Sequence, residues 1–319
     1  MMISIVIPIH NEAIGLVEFH RLLRDSIDTL PHVFDIWYIN DGSTDETVEV
    51  MHSIIGDDRR VHLVNLSRNF GKEAALTAGL DFANGDAVIT MDGDGQHAPH
   101  YIPAILQLYD QGFDIVLTQR SPDLDASLIK RITSRLFYPL INLLSDIEVM
   151  PGATDFRLMN KDAVSSFRQL PESHRFLRAL VGWMGFRWTI LQIEVSPRIA
   201  GSSKYSMRKV LRLAYEAIFS FGTRPIRFAI MLGFLVLFMA LIQFLDPLIS
   251  IISGRTSELV PGWTTLIISV LILGATQLIT LAIVGQYVGL IYEQVKQRPL
   301  YLLREEPIDH QRLKAQDSQ

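Results

Sequence analysis

The sequence predicts an α/β domain followed by a helical membrane anchor, and three patterns carry that prediction. Short apolar runs rich in β-branched residues alternate with helical patterns between residues 3 and 118, a polar cluster follows each of the first four runs, and two long uncharged stretches lie near the C-terminus. Such alternation implies a mostly parallel sheet with helices on both faces, whose ligands bind beyond the carboxyl ends of the strands.

The expected strands are residues 3–9, 34–40, 61–66, 87–91 and 115–118, and the helical patterns between them are 13–29, 44–55, 72–84 and 100–111. After the first strand comes Pro8-Ile9-His10-Asn11-Glu12, after the second Asn40-Asp41-Gly42-Ser43-Thr44-Asp45, and after the third Ser67-Arg68-Asn69-Phe70-Gly71-Lys72. Asp92-Gly93-Asp94-Gly95-Gln96-His97 follows the fourth. Carboxylates, amides and cations therefore gather on one rim.

The anchor is read from charge. Residues 228–245 and 259–292 contain no Asp, Glu, Lys or Arg, and a bilayer core of roughly 30 Å needs about 20 apolar helical residues. Arg224 and Arg227 precede the first stretch, and Lys296, Arg298 and Arg304 follow the second. Only Arg255 lies between them. The positive-inside tendency puts both ends in the cytoplasm, with 246–262 as a short external loop. Met207, Val210, Leu211, Ala214, Ile218 and Phe221 fall at helical spacing just upstream, as in a helix lying in the interface or one packed on the soluble domain. The expected organisation is a cytoplasmic domain at 1–205, an amphipathic juxtamembrane segment at 206–225, two spans within 226–293 and a cytoplasmic tail at 294–319, polar and loosely held from Arg304 onward. An exposed apolar hairpin also invites self-association into a homo-oligomer.

Composition narrows the function. The 319 residues are 49% hydrophobic with a mean hydropathy of +0.24, enough for a sizeable core. A net charge of −5 without a long basic run argues against nucleic acid as partner. The chain has no cysteine, so disulfides, thiolate metal sites and cysteine nucleophiles are excluded. The N-terminus reads as a strand and not as a signal peptide.

The rim residues suggest phosphate and metal chemistry. Asp92-Gly93-Asp94 places two carboxylates near one point, with Gln96 as a neutral oxygen donor, a set suited to Mg²⁺ or Mn²⁺. Such an ion would neutralise a departing diphosphate. An Asp-Gly turn is the plainer use of the same residues. Asp41 can accept hydrogen bonds from a base or ribose, and Ser43 or Thr44 could instead cap the next helix. Neither common phosphate-loop pattern follows a strand, which weakens ATPase and dehydrogenase readings. Asp155 and Arg157 would share one face of a strand, as a functional pair or as a surface ion pair. Residues 198–205 form a small-residue loop between Arg198 and Lys204, either a flap over a diphosphate or a solvated basic loop.

Val6-Ile7-Pro8 with Asn11-Glu12, Asn40-Asp41-Gly42-Ser43, Leu66 through Glu73, Asp92-Gly93-Asp94 with Gln96, Asp155-Phe156-Arg157-Leu158 and the 198–204 loop together resemble the polyprenyl-phosphate glycosyltransferases. These are inverting family 2 enzymes with a GT-A fold, a group that includes dolichol-phosphate mannose synthase and bacterial bactoprenol glucosyltransferases. The resemblance runs from residue 3 to about residue 300, two-helix anchor included. It implies that Pro8, Glu12, Ile39 and Asp41 hold the nucleoside, with His10, Lys72 and Gly93 also on the donor side. It further implies that Asp92, Asp94 and Gln96 organise the metal and diphosphate, and that Arg120, Arg198 and Lys204 contact donor phosphates. Asp155 resembles the proposed base and Arg157 a lipid-phosphate ligand, while Arg175-Phe176 and Trp183 to Phe186 match a segment near the acceptor. The expected activity is transfer of a sugar, glucose from UDP-glucose before a GDP-linked donor, onto undecaprenyl phosphate with inversion at the bacterial inner membrane. Two departures stand out: the family's D-A-D-L-Q appears as Asp92-Gly93-Asp94-Gly95-Gln96, and His10 stands where an aromatic is frequent. A processive polysaccharide synthase would need Gln-x-x-Arg-Trp, yet Met184 precedes Arg187-Trp188 at the glutamine position. The remaining alternative is a non-catalytic nucleotide-sugar-binding membrane scaffold.

Overall fold

The computed structural model describes residues 1–121, 152–172, 177–194, 224–253 and 262–304. They belong to two compact units. One is an α/β unit that also takes in residues 298–304, and the other is a helical unit reaching to residue 297. The expectations for Arg175-Phe176, Arg198, Lys204, the 198–205 loop and the interfacial helix upstream of residue 224 lie outside the described residues.

In the α/β unit, strands β1 (Met2–Ile9), β2 (Val33–Asn40), β3 (Val61–Asn65), β4 (Ala87–Thr90) and β5 (Ile115–Arg120) fall where the apolar runs predict. Helices α1 (Leu16–Ile27), α2 (Thr47–Asp57), α3 (Lys72–Phe82) and α4 (Ile102–Asp110) alternate with them. Then follow β6 (Ala153–Asn160), α5 (Lys161–Arg168), α6 (Leu177–Trp183) and β7 (Trp188–Ile193). The seven strands form one sheet in the order β3-β2-β1-β4-β6-β5-β7. β1 to β4 are mutually parallel, β6 runs antiparallel to β4 and β5, and β7 is parallel to β5.

Burial explains the sequence patterns. β1 is covered on both faces, so it reads as a continuous apolar run without alternation. α1 buries Leu16, Phe19, His20, Leu23 and Ile27, one stripe at helical spacing. α3 lies so close to the sheet that a Cβ on Gly79 would sit 2.1 Å from Val6 Cγ1 and 3.1 Å from Ile39 Cγ1. Its last carbonyls, on Leu80 and Ala83, accept hydrogen bonds from the Arg168 guanidinium, which substitutes for the missing next turn. Asn160 caps α5, its Oδ1 accepting from the Ala163 N–H at 2.8 Å.

Two features position the site. The chain leaves β1 toward β2 and enters β4 on β1's other side, so the rim between β1 and β4 is a topological switch point. Because β6 is antiparallel and pairs Thr90 with Arg157, its first residues lie beside the carboxyl end of β4. That reversal carries Asp155 to the rim.

The chain also comes back after its helical unit. Leu303 bridges Leu66, the Ser67 N–H donates to the Leu302 carbonyl at 2.8 Å, and the Arg304 N–H donates to the Asn65 carbonyl at 2.8 Å. Tyr301 donates its hydroxyl proton to Asp81 at 3.0 Å. Residues 301–304 thus line the outer edge of β3, a pairing the sequence reading did not anticipate, with Arg304 held although the loose tail was expected to begin there; residues 305–319 are outside the described set.

The helical unit contains α7 (Arg224–Ile252) and α8 (Trp263–Val295), which contact each other. α7 starts with Pro225 in its first turn, where the ring costs no hydrogen bond, and it continues past Asp246 to Ile252. The expected external loop is therefore shorter than 246–262. Phe228, Phe234, Leu237, Leu271 and Leu281 are all at least half exposed. Among the described residues one segment, Ser269–Val295 with a mean hydropathy of 1.7, is long and apolar enough to cross a membrane by length and composition.

Candidate active site

Hydrogen bonds between loops assemble the rim. The Asp41 N–H donates to the Ile9 carbonyl at 2.9 Å, extending the β1–β2 ladder by one residue. Asn11, at φ 57, donates its N–H to Ser43 Oγ at 3.0 Å and accepts the Thr44 N–H at its Oδ1 at 2.8 Å. The Glu12 N–H donates to Thr47 Oγ1. Ser43 and Thr44 are therefore spent on the neighbouring loop, and Asp45 takes the capping contact, accepting the Thr47 N–H at 3.1 Å.

Asp41 ties in the third loop. One carboxylate oxygen accepts the Phe70 N–H at 2.7 Å and the other the Gly71 N–H at 3.0 Å. The two chains touch here: a Cβ on Gly42, at φ +62, would lie 2.4 Å from the Arg68 carbonyl carbon. His10 completes the link. Its Nδ1 lies 2.8 Å from the Asp41 carbonyl and its Nε2 3.1 Å from the Asn69 amide. The consistent tautomer donates from Nδ1 and accepts at Nε2, so both ring nitrogens are engaged within the protein.

Lys72, the first residue of α3, joins the third loop to the fourth. Its ammonium lies 2.5 Å from Asp92 Oδ1 and 2.6 Å from Asp155 Oδ2. Desolvation works to lower the Lys72 pKa, but the two carboxylates outweigh it and raise it above the ordinary lysine value. Burial likewise works to raise the pKa of Asp92, and Lys72 holds it below the ordinary value instead. Asp155 also accepts from Arg157 Nη2 at 2.9 Å, and that guanidinium donates to the Thr154 carbonyl as well. The pair is the one the two-residue spacing predicts, but it is buried: Arg157 has no exposed surface and Asp155 is 1% exposed.

His97, in the loop after β4, is a buried strut. Its Nδ1 accepts the Asp92 N–H at 3.1 Å, and its ring stacks on Phe156 between Asp155 and Arg157. Burial lowers its pKa, so the ring is the neutral acceptor that this contact needs. Asp94 accepts the Gln96 N–H at 3.0 Å, which fixes the Asp94-Gly95-Gln96 turn. At the β5–β6 irregularity, Thr118 Oγ1 meets Thr154 Oγ1 at 2.5 Å and donates to the Phe156 carbonyl at 2.7 Å.

These loops enclose a cavity of about 340 Å³. Of the residues the sequence nominates, Pro8, His10, Glu12, Asp41, Lys72, Asp92, Gly93, Asp94, Gln96 and Arg120 line it. Ile39 does not, because its side chain is buried beneath α3. Asp155 and Arg157 stand behind the wall and reach the cavity through Lys72. Asn69, His97 and Thr154 also line it without having been nominated. Asn69 lies within a loop the sequence does mark, but its pairing with His10 is across 59 residues and leaves no local signal.

The donor set suits a hard divalent cation. Among the described residues no three His, Cys, Asp or Glu side chains are placed to hold a metal ion by themselves, but Asp92, Asp94 and the Gln96 amide line one cavity. Magnesium-type ions are typically held by one or two carboxylates, with substrate phosphates and water completing the shell.

Loops of acidic and basic residues at the switch point of a mostly parallel sheet are the arrangement expected of a GT-A transferase domain. The family model described as glycosyl transferase family 2 matches residues 4–167, and the chain belongs to that family: it is a glycosyltransferase. An uncharacterized glycosyltransferase of Synechocystis is 36% identical over 94% of both chains. The bactoprenol glucosyl transferase of Shigella phage SfV is 37% identical over 96% of this chain and 99% of its own. A prophage bactoprenol glucosyl transferase homolog of Escherichia coli is 35% identical over 95% and 99%. Among solved structures, glucosyl-3-phosphoglycerate synthase from Mycobacterium tuberculosis has a TM-score of 0.48 and 17% identity, over 68% of this chain and 77% of that one.

Proposed function

We propose that the protein transfers glucose from UDP-glucose to undecaprenyl phosphate with inversion, at the cytoplasmic face of a bacterial membrane. The carrying observation is the Lys72 bridge. It brings Asp92, on the side of the metal and diphosphate residues, and Asp155, on the presumptive acceptor side, to within one ammonium group of each other. A single displacement needs that proximity. The phosphate oxygen of the acceptor forms a bond to the anomeric carbon while the bond to the donor diphosphate breaks, its electron pair leaving on the diphosphate. Relatives named as bactoprenol glucosyl transferases, aligned over nearly the whole length, favour a glucosyl donor and a prenyl phosphate acceptor.

Asp94, Gln96 and Asp92 would hold Mg²⁺ or Mn²⁺, which supplies charge neutralisation for the leaving diphosphate. The first two loops would hold the nucleoside. There His10 has both nitrogens engaged, so it offers a ring face to a base rather than a hydrogen bond. A phosphate monoester is largely ionised near neutrality, with a second pKa of about 6 by analogy with phosphoamino acids. Asp155 therefore has little proton to take and orients the groups around it, Lys72 above all.

Chain continuity supports the two-span reading of the anchor. The α/β unit holds residues up to 205 and resumes at 298, with 206–297 in the helical unit, as expected of a hairpin that leaves and returns on one side of the membrane. α7 and α8 have 29 and 33 residues, roughly 44 and 50 Å at 1.5 Å per residue, and each exceeds the hydrocarbon thickness.

The test incubates detergent-solubilised protein with undecaprenyl phosphate, Mn²⁺ and a panel of nucleotide sugars, and identifies the lipid product by mass spectrometry. Undecaprenyl-phosphate-glucose is expected from UDP-glucose, with no product after chelation or in Asp94→Asn. Turnover undiminished by chelation, or no lipid product with any donor, would overturn the proposal.

A further inference from the structure

We infer that Lys72 is the cavity's contact for the acceptor's phosphate, and that Arg157 supports it from behind without touching the ligand. The inference rests on the proposed prenyl phosphate acceptor and assigns the group that receives its head. An anionic acceptor needs a cation with a free donor at the cavity wall. Arg157 is an unsuitable candidate because it is fully buried, lines no part of the cavity, and spends Nη2 on Thr154 and Asp155. Lys72 lines the cavity with its side chain 40% exposed.

An ammonium carries three N–H donors. Two are directed to Asp92 Oδ1 and Asp155 Oδ2, which fixes the side chain and leaves the third donor for a ligand. Asp92 and Asp155 carry two negative charges, and Lys72 and Arg157 carry two positive ones. Lys72 and Arg157 thus offset the charge of Asp92 and Asp155, and an approaching phosphate meets a directed, charged donor. Position agrees with charge. A phosphate held by Lys72 shares the cavity with Asp92, where the leaving diphosphate would be organised, and a single displacement needs acceptor and donor in one cavity, with attack from the face opposite the leaving group. Arg120, the other lining cation among the described residues, is exposed at the end of β5 and has no such link to Asp155.

The experiment uses full-length, detergent-solubilised protein as wild type, Lys72→Met and Lys72→Arg. UDP binding is measured by calorimetry, transfer is measured with undecaprenyl phosphate varied at saturating UDP-glucose, and farnesyl phosphate binding is measured directly. Removing one charge-assisted contact should raise the acceptor KM of Lys72→Met by about tenfold or more, while UDP affinity stays within about threefold. Lys72→Arg keeps the charge and should recover most of the acceptor KM, which also controls for any loss of folding in the methionine variant. UDP affinity falling in step with the acceptor KM would make Lys72 a donor ligand and overturn the inference. So would an unchanged acceptor KM with a lower kcat. If the wild type glycosylates no lipid, the proposed function fails separately, and equal farnesyl phosphate affinity in wild type and Lys72→Met would then overturn this inference alone.

Discussion

At the scale of single residues, the site depends on contacts that exclude a side chain or a charge. Gly42 is the clearest case: its φ of +62 suits glycine, and a Cβ would press on the Arg68–Asn69 backbone at 2.4 and 2.5 Å. Backbone cannot yield as a side-chain tip can, so Gly42→Ala must move the loop whose N–H groups Asp41 holds. A cost of about 1–3 kcal/mol is expected from the strain, read as a lower Tm, together with weaker UDP binding. A variant that binds UDP like the wild type would show that the two loops are not coupled. His20 illustrates charge exclusion away from the site. It is buried on α1 with Nδ1 3.1 Å from the Tyr38 hydroxyl and Nε2 3.7 Å from Asp58, with Arg24, Arg60 and Asp28 also facing it. Burial, opposed by Asp58, lowers its pKa below 6.5. The unfolded chain then takes up the proton more readily than the folded one. The stability this provides is complete above roughly pH 6.5 and is lost as the pH falls toward the folded value. Thermal unfolding of the solubilised chain should show Tm falling between pH 7.5 and 5.5. His20→Gln should be less stable at pH 7.5 but lose less over that interval, and parallel slopes for the two proteins would refute the assignment.

At the scale of elements, the returning segment 301–304 is the least expected feature and has the most direct consequence. It pairs with Asn65, Leu66 and Ser67, immediately before the loop that carries Asn69, the amides bound by Asp41, and Lys72. Arg304→Pro removes the N–H that donates to Asn65 without altering any cavity residue. The edge should fray, exposing the end of β3 to faster hydrogen exchange at Leu66 and Ser67, and the KM for the nucleotide sugar should rise by roughly threefold to tenfold, the scale of about 1 kcal/mol. Exchange at those amides equal to wild type would mean that the pairing holds nothing in place. The same element marks how far the sequence can be read. β1 to β5 and their helices are legible because burial on both faces writes continuous apolar runs and one-sided burial writes a helical stripe. Asp92, Asp94 and Asp41 are legible because strand ends in such a sheet face one rim. The position of β6 between β4 and β5 is not legible, since strand spacing carries no information on insertion or direction. Nor is the Lys72 bridge, which joins residues 20 and 83 positions apart through side chains alone. Residues 301–304 are too few to show a period.

At the scale of the whole molecule, the proposed two-span anchor requires both ends of the helical unit to lie on one side of the membrane. The returning segment is hydrogen-bonded to β3, and β3 belongs to the unit that precedes α7 in the chain. If α8 alone crossed, residues 301–304 would be separated from Asn65 and Ser67 by a bilayer, and their hydrogen bonds could not form. Charge points the same way: Arg224 and Arg227 flank the start of α7, Lys296, Arg298 and Arg304 follow α8, and only Arg255 lies between. The absence of cysteine from the chain makes the test clean, because any introduced thiol is the sole target of a membrane-impermeant maleimide. In intact spheroplasts Ser257→Cys should label without permeabilisation, whereas Ser53→Cys on exposed α2 and Gln319→Cys at the C-terminus should label only after it. Labelling of Gln319→Cys from outside would require an odd number of crossings and would contradict the pairing of residues 302–304 with the β3 edge. Protection of all three positions until permeabilisation would instead place both helices on one leaflet, lying along the surface without spanning it.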